Sequence, residues 1–186
     1  MPGRDTNPMP DIAFRLMSVI MALEDVLFPH IDQRVATFGI RKGMTIVDYA
    51  CGPGRYSTRF SKLVGADGRV YAVDIHPLAL ATVRRKMDKQ HLLNIVPVLA
   101  QGYDSGLPAH IADMVCALDV FFGIKDPSVF LREIRRITGP EGVLIIDDGH
   151  QSRAATLRKI KAAGGWTIAH ETADHLTCTP VQDTNS

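Results

Sequence analysis

An excess of charge of either sign is missing from this sequence. Its 186 residues hold 21 Lys and Arg against 20 Asp and Glu, which leaves a formal net charge of +1. No global field therefore favours nucleic acid or an anionic membrane surface as a partner. A local basic patch stays open at Arg132, Arg135 and Arg136, although a solvated helix face is the simpler interpretation.

Cysteines and long apolar runs are also scarce. Cys51, Cys116 and Cys178 are odd in number and widely spaced, and no C-x-x-C pair occurs, so the sequence supports neither a disulfide framework nor a zinc site. This cysteine usage predicts a reducing, cytoplasmic location. The first residues lack the pattern of a signal sequence. The most apolar stretch, residues 12–28, is interrupted by three charged residues, so no membrane span is expected.

Three prolines among residues 1–11 predict a flexible N-terminal segment, and residues 12–182 are predicted to form a single domain. Residues 12–38 of that domain are expected to form a helical cap. Its first helix should end at Pro29, and it carries an apolar stripe that is interpreted as core rather than as part of a pocket. A cap helix could also cover a site, and a homodimer is an open alternative to a monomer. The stripe consists of Ile12, Leu16, Val19, Ile20, Leu23 and Leu27.

Strand and helix signals alternate through the rest of the chain. This alternation predicts an α/β, Rossmann-like fold in which a seven-stranded, mostly parallel sheet is covered by helices on both faces. The run Gly142–Asp147 is almost entirely apolar, as expected of a strand buried on both faces, and Ser128 is expected to cap the preceding helix. The predicted strands are 45–49, 69–73, 95–100, 114–118, 142–147, 166–171 and 175–181, and the helices after the cap are 56–64, 77–90, 128–137 and 154–163.

A loop rich in small residues, Asp48 to Gly54, ends the first predicted strand, and Asp74 ends the second strand 20 residues after Gly54. Ligands of open α/β sheets lie beyond the carboxyl ends of the strands, where an acid such as Asp74 can accept hydrogen bonds from two ribose hydroxyls. The dinucleotide fingerprint G-x-G-x-x-G would need glycine in place of Ser57, and the lysine of a P-loop is absent. Asp48 suits a cationic group better than a pyrophosphate. The pattern therefore favours a ligand with an ammonium and a ribose but no phosphate.

These residues resemble the first motifs of the class I S-adenosylmethionine-dependent methyltransferases, in the branch of quinone-biosynthesis and other small-molecule enzymes. Asp48, Gly52 and Gly54 match an acidic-x-G-x-G-x-G loop, with Ala50 in place of the first glycine, and Asp74 matches the ribose-binding acid. Residues 101–108, 112–115 and 130–144 resemble later motifs of the same family. The resemblance implies that S-adenosyl-L-methionine is bound by Asp48, Ala50, Cys51, Gly52, Gly54, Asp74, Ile75, Gly102, Tyr103, Asp104 and Leu118.

Two departures from the family pattern concern ligand recognition. Tyr103 stands where an adenine-binding aspartate is usual, so either Asp104 serves one position later or Tyr103 stacks or hydrogen-bonds instead. Phe121 and Phe122 replace the motif that grips amide or amino groups. This argues against methylation of adenine N6 or of glutamine, and it is compatible with an apolar or aromatic acceptor pocket.

The resemblance places the transferred methyl group near the ends of the fourth and fifth strands. Asp119 follows the fourth strand and His150 follows the fifth, so these two are the candidate catalytic residues, each able to position or deprotonate an acceptor. Alternatives stay open: Asp119 as a helix cap or a ligand of the methionine moiety, and His150 as an exposed loop residue. Asp147 and Asp148 could hold a metal, but adjacent strand residues face opposite sides, so no metal is expected.

The expected function is S-adenosylmethionine-dependent methyl transfer to a small organic acceptor. One alternative is a cofactor-binding regulatory or scaffold protein without turnover. Another is a protein or RNA methyltransferase, against which the near-neutral charge argues mildly.

Overall fold

The computed structural model describes residues 8–27 and 30–181, and it has the predicted Rossmann-like α/β architecture. The predicted flexible segment 1–11 lies largely outside the described residues, as do Pro29 and the domain end at residue 182, and Asp11 already belongs to the first helix. The helices are α1 (Asp11–Leu27), α2 (His30–Ala36), α3 (Ser57–Val64), α4 (Pro77–Gln90), α5 (Pro127–Ile137) and α6 (Arg153–Ala163). The strands are β1 (Thr45–Tyr49), β2 (Arg69–Asp74), β3 (Ile95–Leu99), β4 (Ala112–Ala117), β5 (Thr138–Ile146), β6 (Trp166–Glu171) and β7 (Leu176–Pro180).

The seven strands form one sheet in the order β3-β2-β1-β4-β5-β7-β6. Strands β1 to β5 are parallel, and β7 pairs antiparallel with both β5 and β6. The chain order reverses between the neighbours β1 and β4, so the crevice at the carboxyl ends of these two strands is the expected ligand position. No helix of the described segments is long and apolar enough to cross a membrane.

Both faces of the sheet are covered, which explains why its central strands are apolar on both sides. One buried cluster contains Val47, Val115 and Ile146 together with α5, and the other contains Ile46, Val70 and Cys116 together with α3 and α4. The alternation of side chains along each strand divides neighbours between the two clusters. This packing holds the strand ends, and hence the loops that follow them, in fixed positions.

Two local predictions were wrong. The cap of α5 is Asp126, whose carboxylate accepts the Val129 N–H at 3.1 Å, and Pro127 rather than Ser128 opens the helix. Strand β5 begins at Thr138, four residues before the predicted start, because Thr138 pairs with Ala112 ahead of an irregularity in the ladder. Because this irregularity contains turn-forming residues such as Pro140, the sequence pattern indicated a turn here and the strand was predicted to begin later.

Helix α1 was predicted correctly, but its apolar stripe is not core. Ile12, Leu16, Val19, Ile20 and Leu23 are between 49% and 83% exposed. The opposite side of the helix faces the domain, where Phe14 is buried and its ring lies 4.5 Å from that of His76. Periodicity identified one apolar face of α1 but not the direction in which that face points. The side chain of Leu27 is outside the described part of the chain.

The exposure of this stripe has a consequence for stability. Leu16→Gln should change the free energy of unfolding by no more than about 0.5 kcal/mol, because the side chain is 64% exposed and glutamine is a good helix former. Phe14→Leu is the matched control on the buried side and should cost about 1 kcal/mol. Urea unfolding followed by circular dichroism measures both. A loss above 1 kcal/mol for Leu16→Gln would show that the stripe is covered in solution.

Candidate active site

The loop after β1 is shaped by three residues with positive φ, namely Ala50 at 62°, Gly52 at 52° and Gly54 at 75°. The Cys51 N–H bonds to the Val73 carbonyl at 3.0 Å, so the loop lies beside the end of β2. A Cβ on Gly54 would come within 2.9 Å of the Val83 side chain, whereas a Cβ on Gly52 would meet no atom within 4 Å. Gly54 therefore allows α4 to pack closely, and Gly52 borders open space in which a ligand can approach the backbone.

Asp74 joins this loop to the end of β2. One carboxylate oxygen accepts the Gly52 N–H and the other accepts the His76 N–H, both at 2.8 Å. Burial raises the pKa of Asp74, although these backbone donors oppose the shift. Ile75 packs against the core beside it. Each carboxylate oxygen can accept a further hydrogen bond, so Asp74 keeps the capacity to bind ligand hydroxyls.

Asp48 is buried beneath the loop and accepts a hydrogen bond from the Ser57 hydroxyl. Burial raises the pKa of Asp48 to about 7, a shift that the Ser57 bond opposes and the nearby charge of Asp74 reinforces. Ser57 is the position at which the dinucleotide fingerprint requires glycine. Its hydroxyl is what satisfies Asp48, so the departure from that fingerprint has a structural role.

The segment after β3 turns back on itself through a bridge between Gln101 and Asp104. Gly102 in this turn has φ +63°, and the Tyr103 carbonyl accepts the Tyr49 hydroxyl. The Tyr103 ring lies 5.8 Å from that of Phe130 at a steep angle, and the Asp104 carboxylate accepts the Gly106 N–H at 2.8 Å. Tyr103 is thus anchored by core aromatics, while the Asp104 side chain is exposed and orders the turn.

Four side chains from separate elements meet beyond the ends of β4 and β5. Asp119, with φ +57°, accepts a hydrogen bond from the Tyr56 hydroxyl at 3.0 Å, and its own N–H donates to both oxygens of Asp147 at 2.9 and 3.1 Å. Arg34 of α2 donates to Asp147 at 2.5 Å and to the Tyr56 oxygen at 2.9 Å, and its guanidinium lies 3.8 Å from Asp119. We call Arg34, Tyr56, Asp119 and Asp147 the acid network.

Burial and charge set the protonation of the network. Burial raises the pKa of Asp147 to about 6 and the charge of Asp119 adds to that shift, while Arg34 opposes it. Burial also raises the pKa of Tyr56, so its hydroxyl stays protonated and acts as a donor. For Arg34, burial acts to lower the pKa of the guanidinium, but Tyr56 and the two carboxylates outweigh it and raise the pKa. One cation thus serves two acids.

The remaining predicted site residues divide between core and surface. Cys51 and Leu118 are buried in the core beneath the crevice, and burial raises the pKa of the Cys51 thiol well above its usual range. His150 is exposed, packs edge-on against Phe122 with ring centres 4.8 Å apart, and is not one of the network's four side chains. Asp148 turns away from Asp147 and pairs with Arg153 at 2.8 Å. Residues 8–27 and 30–181 contain no group of three or more His, Cys, Asp and Glu suited to a metal ion.

Sequence reasoning missed Arg34 and Tyr56 as members of the network and considered Asp147 only as a metal ligand. The bond between Arg34 and Asp147 joins residues 113 positions apart, so no local pattern could reveal it. One usable signal was present in the sequence: Asp147 directly follows β5, which pairs with β4, and the carboxyl ends of adjacent parallel strands lie at the same edge of the sheet.

Comparison with known proteins agrees with this geometry. The family profile described as a methyltransferase domain matches residues 47–146, which is more than half of the chain. A ubiquinone/menaquinone biosynthesis C-methyltransferase from Idiomarina loihiensis is 28% identical over 123 residues, which cover 66% of this chain and 49% of that protein. The chain therefore spans about half the length of the curated relatives that it matches.

Solved structures share the fold. An S-adenosylmethionine-dependent methyltransferase from Aquifex aeolicus superposes with a TM-score of 0.75 at 23% identity, covering 80% of this chain and 88% of that one. A Methanococcus maripaludis structure assigned as an S-adenosyl-L-methionine-dependent methyltransferase has a TM-score of 0.78 at 16% identity, covering 98% and 100%. The glycine-rich loop, the acid at the end of β2 and the profile match lead to one conclusion: the chain belongs to the class I methyltransferases, whose cofactor is S-adenosyl-L-methionine.

Proposed function

We propose that this protein transfers a methyl group from S-adenosyl-L-methionine to a small organic acceptor. One observation carries the proposal: four carboxylates, those of Asp48, Asp74, Asp119 and Asp147, gather at one edge of the sheet around an open glycine loop. Such an edge suits a ligand whose sulfonium and ammonium groups are positive and which has no phosphate. Relatives named as C-methyltransferases of quinone biosynthesis support a small organic acceptor.

The residues present fit this cofactor. Open space beside Gly52 leaves room for a ligand against the loop backbone. In the proposal Asp74 accepts the ribose hydroxyls with Ile75 against the ring, while Gly102, Tyr103 and Asp104 border the adenine. Ala50, Cys51, Gly52, Gly54 and Leu118 shape the floor, and Asp48 orders it through Ser57.

When bound, this cofactor supplies a methyl group on a positively charged sulfur that a nucleophile can attack in line. The protein's contribution is alignment of the acceptor, exclusion of water and, where the acceptor must lose a proton, a general base. We propose Asp119 for that base, because it is the most exposed carboxylate of the acid network. His150 remains a second candidate on the neighbouring turn.

Calorimetric titration with S-adenosylmethionine and S-adenosylhomocysteine tests the first requirement of the proposal, which is that the protein binds the cofactor. No binding of either compound at millimolar concentration would contradict it. Binding without transfer of a labelled methyl group to any compound of a broad acceptor panel would instead favour a regulatory or scaffold protein.

Asp74→Ala should weaken binding of S-adenosylhomocysteine by about 1–3 kcal/mol, or roughly 5- to 150-fold in Kd, because a charge-assisted bond to ribose is lost. Asp67→Ala is the matched control, since Asp67 is an exposed acid in the turn before β2. Titration calorimetry measures both affinities. Equal affinities for the two variants would rule out Asp74 as the ribose ligand.

Methylation of RNA, or of a protein that binds to the basic patch of this chain, has little support at this edge of the sheet. Arg132, Arg135 and Arg136 line a surface pocket with Thr138 and Pro180, at the beginning of β5 and the end of β7, away from the acid network. Arg136 is also paired with Glu133 at 2.7 Å. Negative charge beside the proposed methyl position would repel a phosphodiester backbone. That the protein forms a homodimer stays a prediction, and analytical ultracentrifugation would distinguish a dimer from a monomer.

A further inference from the structure

The acid network has one accessible member. The Asp119 side chain is 40% exposed, whereas those of Asp147 and Arg34 are 4% and 14% exposed. A molecule that enters the crevice at the end of β4 therefore meets the Asp119 carboxylate first. An ionised carboxylate accepts hydrogen bonds and donates none. The accessible end of the network is thus an acceptor of hydrogen bonds with a negative charge.

The cation in the network is already committed. One terminal nitrogen of Arg34 bonds to Asp147 and to the Asp174 carbonyl, at 2.5 and 3.2 Å, and the other bonds to the Tyr56 oxygen at 2.9 Å. Tyr56 in turn directs its hydroxyl hydrogen at Asp119. Capture of an anionic ligand by Arg34 would require breaking these bonds and would bring the anion against two carboxylates, so the network disfavours acidic ligands.

Backbone geometry holds Asp119 in place for this purpose. Its φ of 57° is a left-handed conformation that costs energy in a residue other than glycine, and such conformations gather at functional sites. The Asp119 N–H donates a bifurcated hydrogen bond to the two carboxylate oxygens of Asp147, and this keeps the backbone in that conformation. Arg34, Tyr56 and Asp147 therefore act as positioning residues that aim one carboxylate into the crevice.

We infer that the methyl acceptor presents a hydroxyl or amine N–H to Asp119, that carboxylic acids and phosphates are excluded, and that Arg34, Tyr56 and Asp147 hold Asp119 to receive the proton. This inference rests on the proposed methyltransferase function. The acceptor's O–H or N–H breaks and its proton passes to a carboxylate oxygen of Asp119. The new bond to the methyl carbon forms at that oxygen or nitrogen, or at a conjugated carbon, while the carbon–sulfur bond breaks and its electron pair stays on sulfur.

The charged groups that face Asp119 come from three other elements. Arg34 of α2 acts to lower the pKa of Asp147 after β5, whereas the charge of Asp119 raises it. Asp48 of β1 is the third group, and the charge of Asp119 contributes to its raised pKa. Tyr56 before α3 remains a neutral donor. Removing the positive charge of Arg34 should therefore move proton uptake by Asp147 to higher pH, and restoring a cation should reverse that effect.

The first experiment uses carbon-detected NMR of aspartate carboxyl groups in the protein loaded with S-adenosylhomocysteine, with Asp119→Asn for assignment. Catechol, benzylamine and benzoate are added at equal concentration. Catechol and benzylamine should shift the Asp119 carboxyl resonance, and benzoate should not. A benzoate shift as large as the others, or no shift with either donor, would overturn the inference.

The second experiment follows the same resonances against pH in Arg34→Gln, Arg34→Lys and Tyr56→Phe. Arg34→Gln should raise the midpoint of proton uptake by Asp147 by roughly one to three pH units, and Arg34→Lys should return the midpoint most of the way to the wild-type value. Tyr56→Phe, which removes one oxygen, should raise it less and serves if Arg34→Gln does not fold. Unchanged midpoints would show a merely structural role. Failure to bind S-adenosylhomocysteine would contradict the proposed function itself, whereas normal binding with unchanged midpoints would overturn only this inference.

Discussion

Asp119→Asn should lower the rate of methyl transfer by about 100- to 10,000-fold, the usual contribution of a general base, while the affinity for S-adenosylhomocysteine stays the same. Asparagine preserves the shape of the side chain and tolerates the left-handed backbone of this residue better than most others. The substitution therefore removes the negative charge and the proton-accepting oxygen without forcing the loop to move. Single-turnover transfer of a labelled methyl group to an acceptor found by screening is the measurement.

The matched control is Asp113→Asn, the same chemical change at the beginning of β4, where the carboxylate accepts the Thr45 N–H at 2.7 Å. Its rate should stay near that of the wild type. If Asp119→Asn weakened cofactor binding as much as it slowed transfer, Asp119 would be a ligand of the methionine moiety rather than a base. His150→Gln completes the set, and we expect a smaller loss because His150 is not part of the acid network.

The parts of the fold that were predicted most closely are those whose signals are local. Helix α4 begins at Pro77, which is suited to a first turn, and strand β6 was predicted with the observed bounds. The glycine loop and Asp74 were found for the same reason, since the pattern and the contact lie within two consecutive strands. Each of these features is determined by residues within about one βαβ unit of itself.

The parts that escaped prediction depend on distant residues. The bond between Arg34 and Asp147 exists only because α2 passes over the ends of β4 and β5. The exposed stripe of α1 was assigned to the core because an apolar face normally points inward. Here Phe14 and the contact of Arg55 with the Met21 carbonyl and Glu24 fix the opposite face on the domain. Hydrophobic periodicity gives the face of a helix, and tertiary contacts give its direction.

Phe130→Ala should reduce the free energy of unfolding by about 3–5 kcal/mol, which is the usual cost of truncating a fully buried phenylalanine. Phe130 on α5 is 1% exposed, and its ring lies 5.3 Å from Tyr49, 5.8 Å from Tyr103 and 6.0 Å from Phe121. The cavity would open between α5 and the sheet, where these rings cannot all move inward together. Urea unfolding monitored by circular dichroism gives the change, with a constant m-value as the check on two-state behaviour.

The same substitution links stability to the site. Phe130 supports Tyr103 in the segment proposed to border the adenine, so the folded variant should also bind S-adenosylhomocysteine more weakly than wild type. Phe122→Ala is the matched control: Phe122 is 39% exposed and contacts His150, and its loss should cost about 1 kcal/mol or less. Equal destabilisation by the two variants would contradict the assignment of Phe130 to the core. An unchanged affinity in Phe130→Ala would mean that Tyr103 keeps its position without the ring beneath it, or that adenine binds elsewhere. Repeating the titration with Tyr103→Ala decides between these two explanations. If Tyr103 contacts adenine, its removal should weaken the binding of S-adenosylhomocysteine, and if adenine binds elsewhere the affinity should stay the same.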